Sequence, residues 1–551
     1  MAVIFIDAAA EILKDELHPW LLQETMDGVV SESLDAVIIA AAQGYRRGDI
    51  LDAQPASVVL HEAATRVEQR LRSWAQAHSP LRWLWMLRRL PEIVFAGPLR
   101  TNLTYDLALA EVITAGSSKR ETANATEDSV VWYETDVGVL RQLARFCCGV
   151  RVLSHLHSMQ RWAGKGVPIR FTRRARFEPH PTREMRLAVT LYDDRVASRR
   201  TPSARFGSII AEPWRSGATF GVLRVGRTAP HQLEFGHGAD QAVVSATYRA
   251  ELWDLSRLGD LSGDERLGAA SLLTAEAALC VLLMRVAIGY VRKHKFGWRG
   301  LVQRGYLLSG KQLIAEQLES VLSTDDPIVG LLAPSSIPGS VEELIERARR
   351  ADGRTWPLVP GPLVRLEGDV LCLDLASTSS RFDKLTLFPK IEGAGSNARG
   401  DHFEAAVQSA IDRTPWKPGD DIGRLRRKQL RFDGRYVTDF DALGTLGTTL
   451  IAVSCKSIAD QGVYETGAFK AVRNGALAVE TAVREWKDRI QFLRHHPRGE
   501  NYDLSRFTSI VGVVCTPDVI FVPLGVATES VAPRLTAACT VEELERWLAS
   551  V

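Results

Sequence analysis

The sequence predicts a multidomain α/β protein: a C-terminal mixed sheet flanked by helices, preceded by helical and small β regions. Three observations carry that expectation. The chain has 551 residues, and at roughly 100–200 residues per domain it needs several domains. Its periodicity switches between helical and strand patterns in blocks. Between the blocks, Trp356-Pro-Leu-Val-Pro-Gly-Pro362 carries prolines that no helix can run through.

Residues 1–165 read as a mainly helical domain. Val58, Leu60, Val67, Leu71 and Trp74 sit near helical spacing in the run Ala56–Leu90, and Tyr133–Trp162 is a second helical stretch. Residues 166–250 read as a small β-rich region, from short β-former runs at Pro168–Thr172, Leu187–Tyr192, Phe220–Val225 and Gln241–Tyr248. Residues 251–355 are expected to be helical. The most apolar stretch, Leu272–Tyr290, contains Glu276 and Arg285 and so reads as a buried helix, not a membrane span. Residues 356–551 are expected to form one domain with strands at 363–376, a helix at 400–413, strands at 428–456, a helix at 468–494 and a strand at 510–516.

Bulk composition excludes some classes. With 46% hydrophobic and 24% charged residues the chain has material for more than one core. A formal net charge of +2 is no polycation, so any nucleic-acid contact must come from local basic patches. Seven cysteines, an odd number with no CxxC pair, argue against a disulfide framework or a structural zinc site. Met1–Leu22 carries Asp7, Glu11, Lys14, Asp15 and Glu16 rather than a basic start and an apolar run, so no signal peptide is expected. A cytoplasmic location follows from these readings.

The chemistry-bearing pattern lies in the last segment. Gly400-Asp-His-Phe-Glu404 opens a helix. Arg435-Tyr-Val-Thr-Asp-Phe-Asp441-Ala-Leu reads as a strand carrying Asp439 and Asp441, which would share a face. Gly444–Gly447 reads as a turn. Thr449-Leu-Ile-Ala-Val-Ser-Cys-Lys456 is an apolar strand, buried on both faces, that ends on a lysine. A lysine there calls for a partner or a task. Adjacent antiparallel strands would bring aspartate and lysine to one end of the sheet. Carboxylates of this kind hold Mg²⁺ or Mn²⁺, and a bound metal of that kind activates water and polarises a phosphoryl oxygen.

The order G-x-x-F-E, then D-x-D-A-L, then an apolar strand ending in C-K-S resembles the PD-(D/E)XK (restriction-endonuclease-like) nuclease superfamily, closest to nuclease domains of prokaryotic defence and CRISPR-associated systems. The resemblance covers about Gly400 to Phe521. It implies Glu404 as the helix carboxylate, Asp441 as the central metal ligand (Asp439 being the alternative), the Cys455 backbone carbonyl as a further ligand and Lys456 as the catalytic lysine. It departs from the family at Ser454, where an acidic residue is usual. Two outcomes follow: Glu404, Asp441 and waters hold one metal, or the domain binds nucleic acid or protein partners without cutting.

Arg424-Leu-Arg-Arg-Lys-Gln-Leu-Arg431 precedes the aspartate strand. Arg426, Arg427, Lys428 and Arg431 are expected to contact phosphates, DNA in preference to RNA, with a solvated sheet edge as the alternative. Arg292-Lys-His-Lys-Phe-Gly-Trp298 interleaves cations with aromatics as single-strand binders do. Gly305-Tyr-Leu-Leu-Ser-Gly-Lys311 has Walker A spacing, but Gln312 stands where Ser or Thr should reach Mg²⁺. The expected activity is thus a Mg²⁺-dependent endonuclease in a defence role. A protein partner or second copy would be engaged through the N-terminal regions, and no membrane is involved.

Overall fold

The computed structural model describes residues 24–88, 103–125, 131–133, 136–172, 176–199, 306–323, 338–378, 394–458 and 462–550, with short pieces at 223–225, 248–250, 381 and parts of 276–290. The chain is mixed α/β, with several small sheets and a mixed sheet near the C-terminus. No helix among the described residues is long and apolar enough to cross a membrane.

Helices α1 (Glu24–Ala41), α2 (Ala53–Ala75), α3 (Pro80–Leu87), α4 (Leu103–Ala115) and α5 (Val137–Gly164) bury Leu34, Leu60, Leu71, Trp83, Ile113, Phe146 and Leu153 in one cluster. The amphipathic run Ala56–Leu90 is split between α2 and α3. Ser79 accepts the Arg82 N–H and Pro80 takes the first helical turn, a start signal that outweighs the continuous apolar stripe.

The β-former run Leu187–Tyr192, expected as a strand, is helical within α6 (Arg183–Arg199). Met185, Ala188, Val189 and Tyr192 repeat at helical spacing and pack into the C-terminal core, which overrides the local preference of Val and Thr. Arg195 on α6 pairs with Glu543 at 2.7 Å, so this basic residue is structural. By contrast, Ile169–Phe171 (β1) and Phe177–Pro179 (β2) do form an antiparallel pair. Leu223–Val225 pairs in parallel with Tyr248–Ala250. The remainder of those two β-former runs and the Arg292–Trp298 cluster lie outside the described residues.

Residues 306–374 contain a sheet that the helical expectation for 251–355 misses in part. Its strands are β3 (Tyr306–Gly310), β4 (Val364–Glu367) and β5 (Val370–Asp374), in the order β4-β5-β3 and all antiparallel. The helices α7 (Lys311–Ser323) and α8 (Val341–Arg349) lie between β3 and β4 in sequence. Residues 306–310, which would have to form a phosphate-cradling loop, are strand β3 itself, and Lys311 begins α7; the Walker geometry is not built. The proline-rich segment is no packing boundary, because Tyr306, Leu358, Val370 and Cys372 join the N-terminal cluster. Buried charges reinforce that seam: Asp374 meets Arg365 at 2.8 Å and Arg88 at 3.2 Å, and Arg88 also pairs with Glu111.

The C-terminal sheet follows α9 (Ala394–Asp412) and the hairpin β6 (Leu430–Phe432) and β7 (Arg435–Thr438). Its strands are β8 (Ala442–Leu446), β9 (Thr449–Cys455), β10 (Ser509–Thr516) and β11 (Ala538–Thr540). β8 is antiparallel to β9, and β10 lies parallel between β9 and β11. The long helix α10 (Phe469–His495) makes the β9-to-β10 crossover, and α11 (Val541–Ser550) closes the chain. Side chains alternate across the sheet. Ile451, Val453, Cys455, Val511, Val513 and Cys515 pack with α9 and α11. Leu450, Ala452, Ile510 and Val514 pack with Val483, Trp486 and Ile490 of α10. The continuous apolar run of β9 is therefore buried on both faces.

The turn expected at Gly444–Gly447 is shorter. Leu446 pairs with Thr449, so only Gly447 and Thr448 connect the strands, with Gly447 at φ +57° as a two-residue hairpin requires. Gly444 is a strand residue. A Cβ there would stand 2.6 Å from Ile411 Cγ2 and 2.8 Å from the Trp416 carbonyl, so its lack of a side chain lets α9 lie close against β8.

Candidate active site

The site sits at the end of β9, beside the start of β8. The expected single strand Arg435–Leu443 is in fact two strands, β7 and β8, with a bend at Asp439–Asp441. Two contacts hold the bend: the Arg427 N–H donates to the Phe440 carbonyl at 2.8 Å, and Arg426 Nε donates to the Asp441 carbonyl at 3.0 Å. Because the strand is broken, the two aspartates do not act alike. Asp439 accepts the Tyr436 hydroxyl at 2.7 Å. Asp441 reaches β9, where its Oδ2 accepts the Cys455 N–H at 2.6 Å and lies 3.5 Å from the Ser454 hydroxyl. It takes the place that a next residue pair of the ladder would occupy.

Glu404 comes from α9. One turn on, Gln408 fixes that helix to β8: its amide donates to the Leu443 carbonyl at 3.0 Å and its oxygen accepts the Leu443 N–H at 2.9 Å. Residues four apart share a helix face, so the pair of hydrogen bonds at Gln408 sets where Glu404 stands. Lys456 follows β9 directly, its N–H held by the Cys515 carbonyl at 2.8 Å.

The Asp441 carboxyl is influenced by the charges around it. Burial pushes the Asp441 carboxyl up to about 6. The Cys455 N–H and the Lys456 charge pull it down, whereas the Glu404 and Asp439 charges push it up. Burial, and then the Asp441 and Glu404 charges, hold the Cys455 thiol well above its ordinary value, so this cysteine is no thiolate nucleophile at neutral pH. Comparisons with protein-family models, with curated proteins and with solved structures find no match to this chain.

Among the described residues, no group of three or more His, Cys, Asp and Glu side chains is arranged to hold a metal ion. The oxygen donors at the site are two carboxylates, Asp441 and Glu404, and the Cys455 carbonyl, which strand geometry directs to the same edge as the Cys455 N–H. Such a set fits a hard cation that keeps several waters. It does not fit a thiolate-bound metal.

Several of the basic residues have partners within the protein. Of the run Arg424–Arg431, only Leu430 and Arg431 are strand. Arg426 is half-buried against Asp441. Arg427, at φ +57°, bridges Asp401 at 2.8 Å and Glu404 at 2.7 Å. Lys428 donates to the Asn501 carbonyl at 3.2 Å. Arg431 is fixed through its backbone by the Asn501 side chain, and its own side chain is exposed. The sequence reading missed Asp401, Gln408 and the inward role of Arg426 and Arg427. Gln408 alone had a signal, as a polar residue on the apolar stripe Phe403, Val407, Ala410 and Ile411.

Proposed function

We propose that the C-terminal unit is a Mg²⁺- or Mn²⁺-dependent nuclease of the PD-(D/E)XK (restriction-endonuclease-like) kind, hydrolysing nucleic-acid phosphodiester bonds. The observation that carries this reading is the placement of Asp441 at the end of β9, its Oδ2 accepting the Cys455 N–H at 2.6 Å, with Gln408 bonding the Glu404-bearing helix to β8 and Lys456 following β9 directly. The order helix, antiparallel strand pair, crossover helix and parallel strand supports the fold part of the reading.

Glu404, Asp441 and the Cys455 carbonyl would hold the cation. A bound Mg²⁺ supplies a lowered water pKa and a polarised phosphoryl oxygen. Lys456 would orient the attacking water or stabilise charge developing on phosphorus. Arg431, exposed on the hairpin rim, can contact flanking phosphates, DNA in preference to RNA. A defence role and engagement of partners by the N-terminal region are parts of the same reading that rest on resemblance alone.

A second reading, a nuclease fold that binds nucleic acid or protein without cutting, is favoured by Ser454. Its hydroxyl stands beside Asp441 where the family places an acid, and a hydroxyl is a poor Mg²⁺ ligand. The deciding experiment is Mg²⁺-dependent cleavage of single- and double-stranded DNA and RNA by wild type, Lys456→Ala and Ser454→Glu. Metal-dependent cleavage by wild type, lost in Lys456→Ala and raised in Ser454→Glu, is the expected result. Nucleic-acid binding without cleavage by wild type or Ser454→Glu selects the second reading.

A further inference from the structure

The hairpin β6–β7 ends at the Asp439–Asp441 bend and is held on two sides. On one face, Phe432 packs against Phe492 and His496 at the end of α10, with ring centroids 5.5 and 4.5 Å apart. Along the outer edge of β6, the Asn501 side chain accepts the Arg431 N–H at 3.0 Å and donates to the Gln429 carbonyl at 2.7 Å, as a further strand would. The Glu500 N–H donates to the Arg431 carbonyl at 3.0 Å. The opposite face is left to solvent. Successive strand residues alternate, so Arg431 points away from Phe432. Its cross-strand partner is Tyr436. Both backbone groups of Arg431 are bonded to the 500–501 loop, so this is the closely spaced kind of antiparallel pair, about 4.5 Å between Cα atoms. Both side chains are exposed, Tyr436 at 51%. The Tyr436 hydroxyl donates to Asp439 at 2.7 Å, which anchors the ring beside the bend. Among the described residues, no other ring and no guanidinium stacks on it.

An anchored aromatic face next to a free guanidinium matches the two halves of a nucleotide. The base stacks on the ring, and the phosphate pairs with the arginine. A duplex keeps its bases stacked on one another, so only an unpaired base can offer its face to a side chain. The geometry points to the Arg431–Tyr436 face as a stacking platform for an unpaired nucleotide, five residues along the chain from Asp441. The inference rests on the nuclease reading and deepens it by naming the substrate class, single-stranded nucleic acid.

The test is fluorescence anisotropy of the full chain with labelled DNA and RNA strands of about 20 nucleotides, longer than the site of one such surface. It is run in chelator, so it does not depend on metal or cleavage. Tyr436→Ala should weaken strand binding about tenfold, as the loss of one stacked base does. Tyr436→Leu, apolar but without a ring, should fall with it. Tyr436→Phe and Tyr436→Trp keep a ring and should stay within about twofold of wild type. Duplex of the same sequence should be bound about equally by wild type and Tyr436→Ala. Arg431→Ser should reduce the slope of log affinity against log salt by about 0.7, the share of one phosphate on a single strand. A ring-dependent loss with DNA, RNA or both upholds the platform and identifies the strand. No strand binding by wild type, no loss in Tyr436→Ala, an equal loss in Tyr436→Phe, or an equal loss on duplex overturns it. Ring-dependent strand binding without Mg²⁺-dependent cleavage would leave the platform standing and refute the nuclease. Mg²⁺-dependent cleavage with strand binding indifferent to Tyr436→Ala would do the reverse.

Discussion

Asp441→Asn separates a functional charge from a structural hydrogen bond. Below its unfolded value of 3.8 the carboxyl is neutral whether the chain is folded or not; between there and about 6 the folded chain holds the proton more tightly. The associated stability is therefore fully present below about 3.8 and lost as pH rises through about 6. At about 1.4 kcal/mol for each tenfold gain in proton affinity, raising the carboxyl from 3.8 to about 6 costs the folded state about 3 kcal/mol near pH 8 as an upper bound. The cost halves near pH 5 and falls to about a fifth near pH 4, by the same linkage. An Asn oxygen can still accept the Cys455 N–H, though it forfeits about 1 kcal/mol of charge assistance. Asp441→Asn should thus stabilise the C-terminal unit by about 1–2 kcal/mol near pH 8, a melting shift of about 2–4 °C per kcal/mol for a unit of this size. Calorimetric melting of both proteins in chelator, across about pH 4 to pH 8, measures it. The gain should shrink as the pH falls. Millimolar Mg²⁺ should raise the wild-type melting temperature and leave the variant unmoved. A variant less stable near pH 8, or a difference that ignores pH, would refute the reasoning and make Asp441 a structural acceptor.

Two further predictions concern the framework. Gly444→Ala should destabilise the C-terminal unit by about 1–3 kcal/mol, because its Cβ would overlap Ile411 and the Trp416 carbonyl, and should weaken Mn²⁺ binding by displacing α9 and Glu404; melting and metal titration of one preparation test both effects. Asp374→Ala should cost about 3–5 kcal/mol in the N-terminal unit, since Arg88 and Arg365 would be left buried without their shared carboxylate. An Asp374→Ala melting transition within about 1 °C of wild type would contradict that assignment.

Sequence alone determined the elements whose signals are local. Helix α9, strand β9 and helix α10 were legible because a helical stripe or a bounded apolar run states its own period. Glu404, Asp441 and Lys456 stood out as a pattern because each sits beside such an element. Their roles stood out less. Only the folded chain decided that the Asp439–Asp441 segment bends, which turns one aspartate to Tyr436 and the other to Cys455. Only packing decided that Leu187–Tyr192 is helical, since burial against the C-terminal core outweighs β preference. Arg427 shows the limit most clearly. A cation in a basic run looks like a phosphate contact, but its partners are Asp401 and Glu404, brought from a distant helix. Charge pairing depends on distance through space, and sequence specifies only distance along the chain.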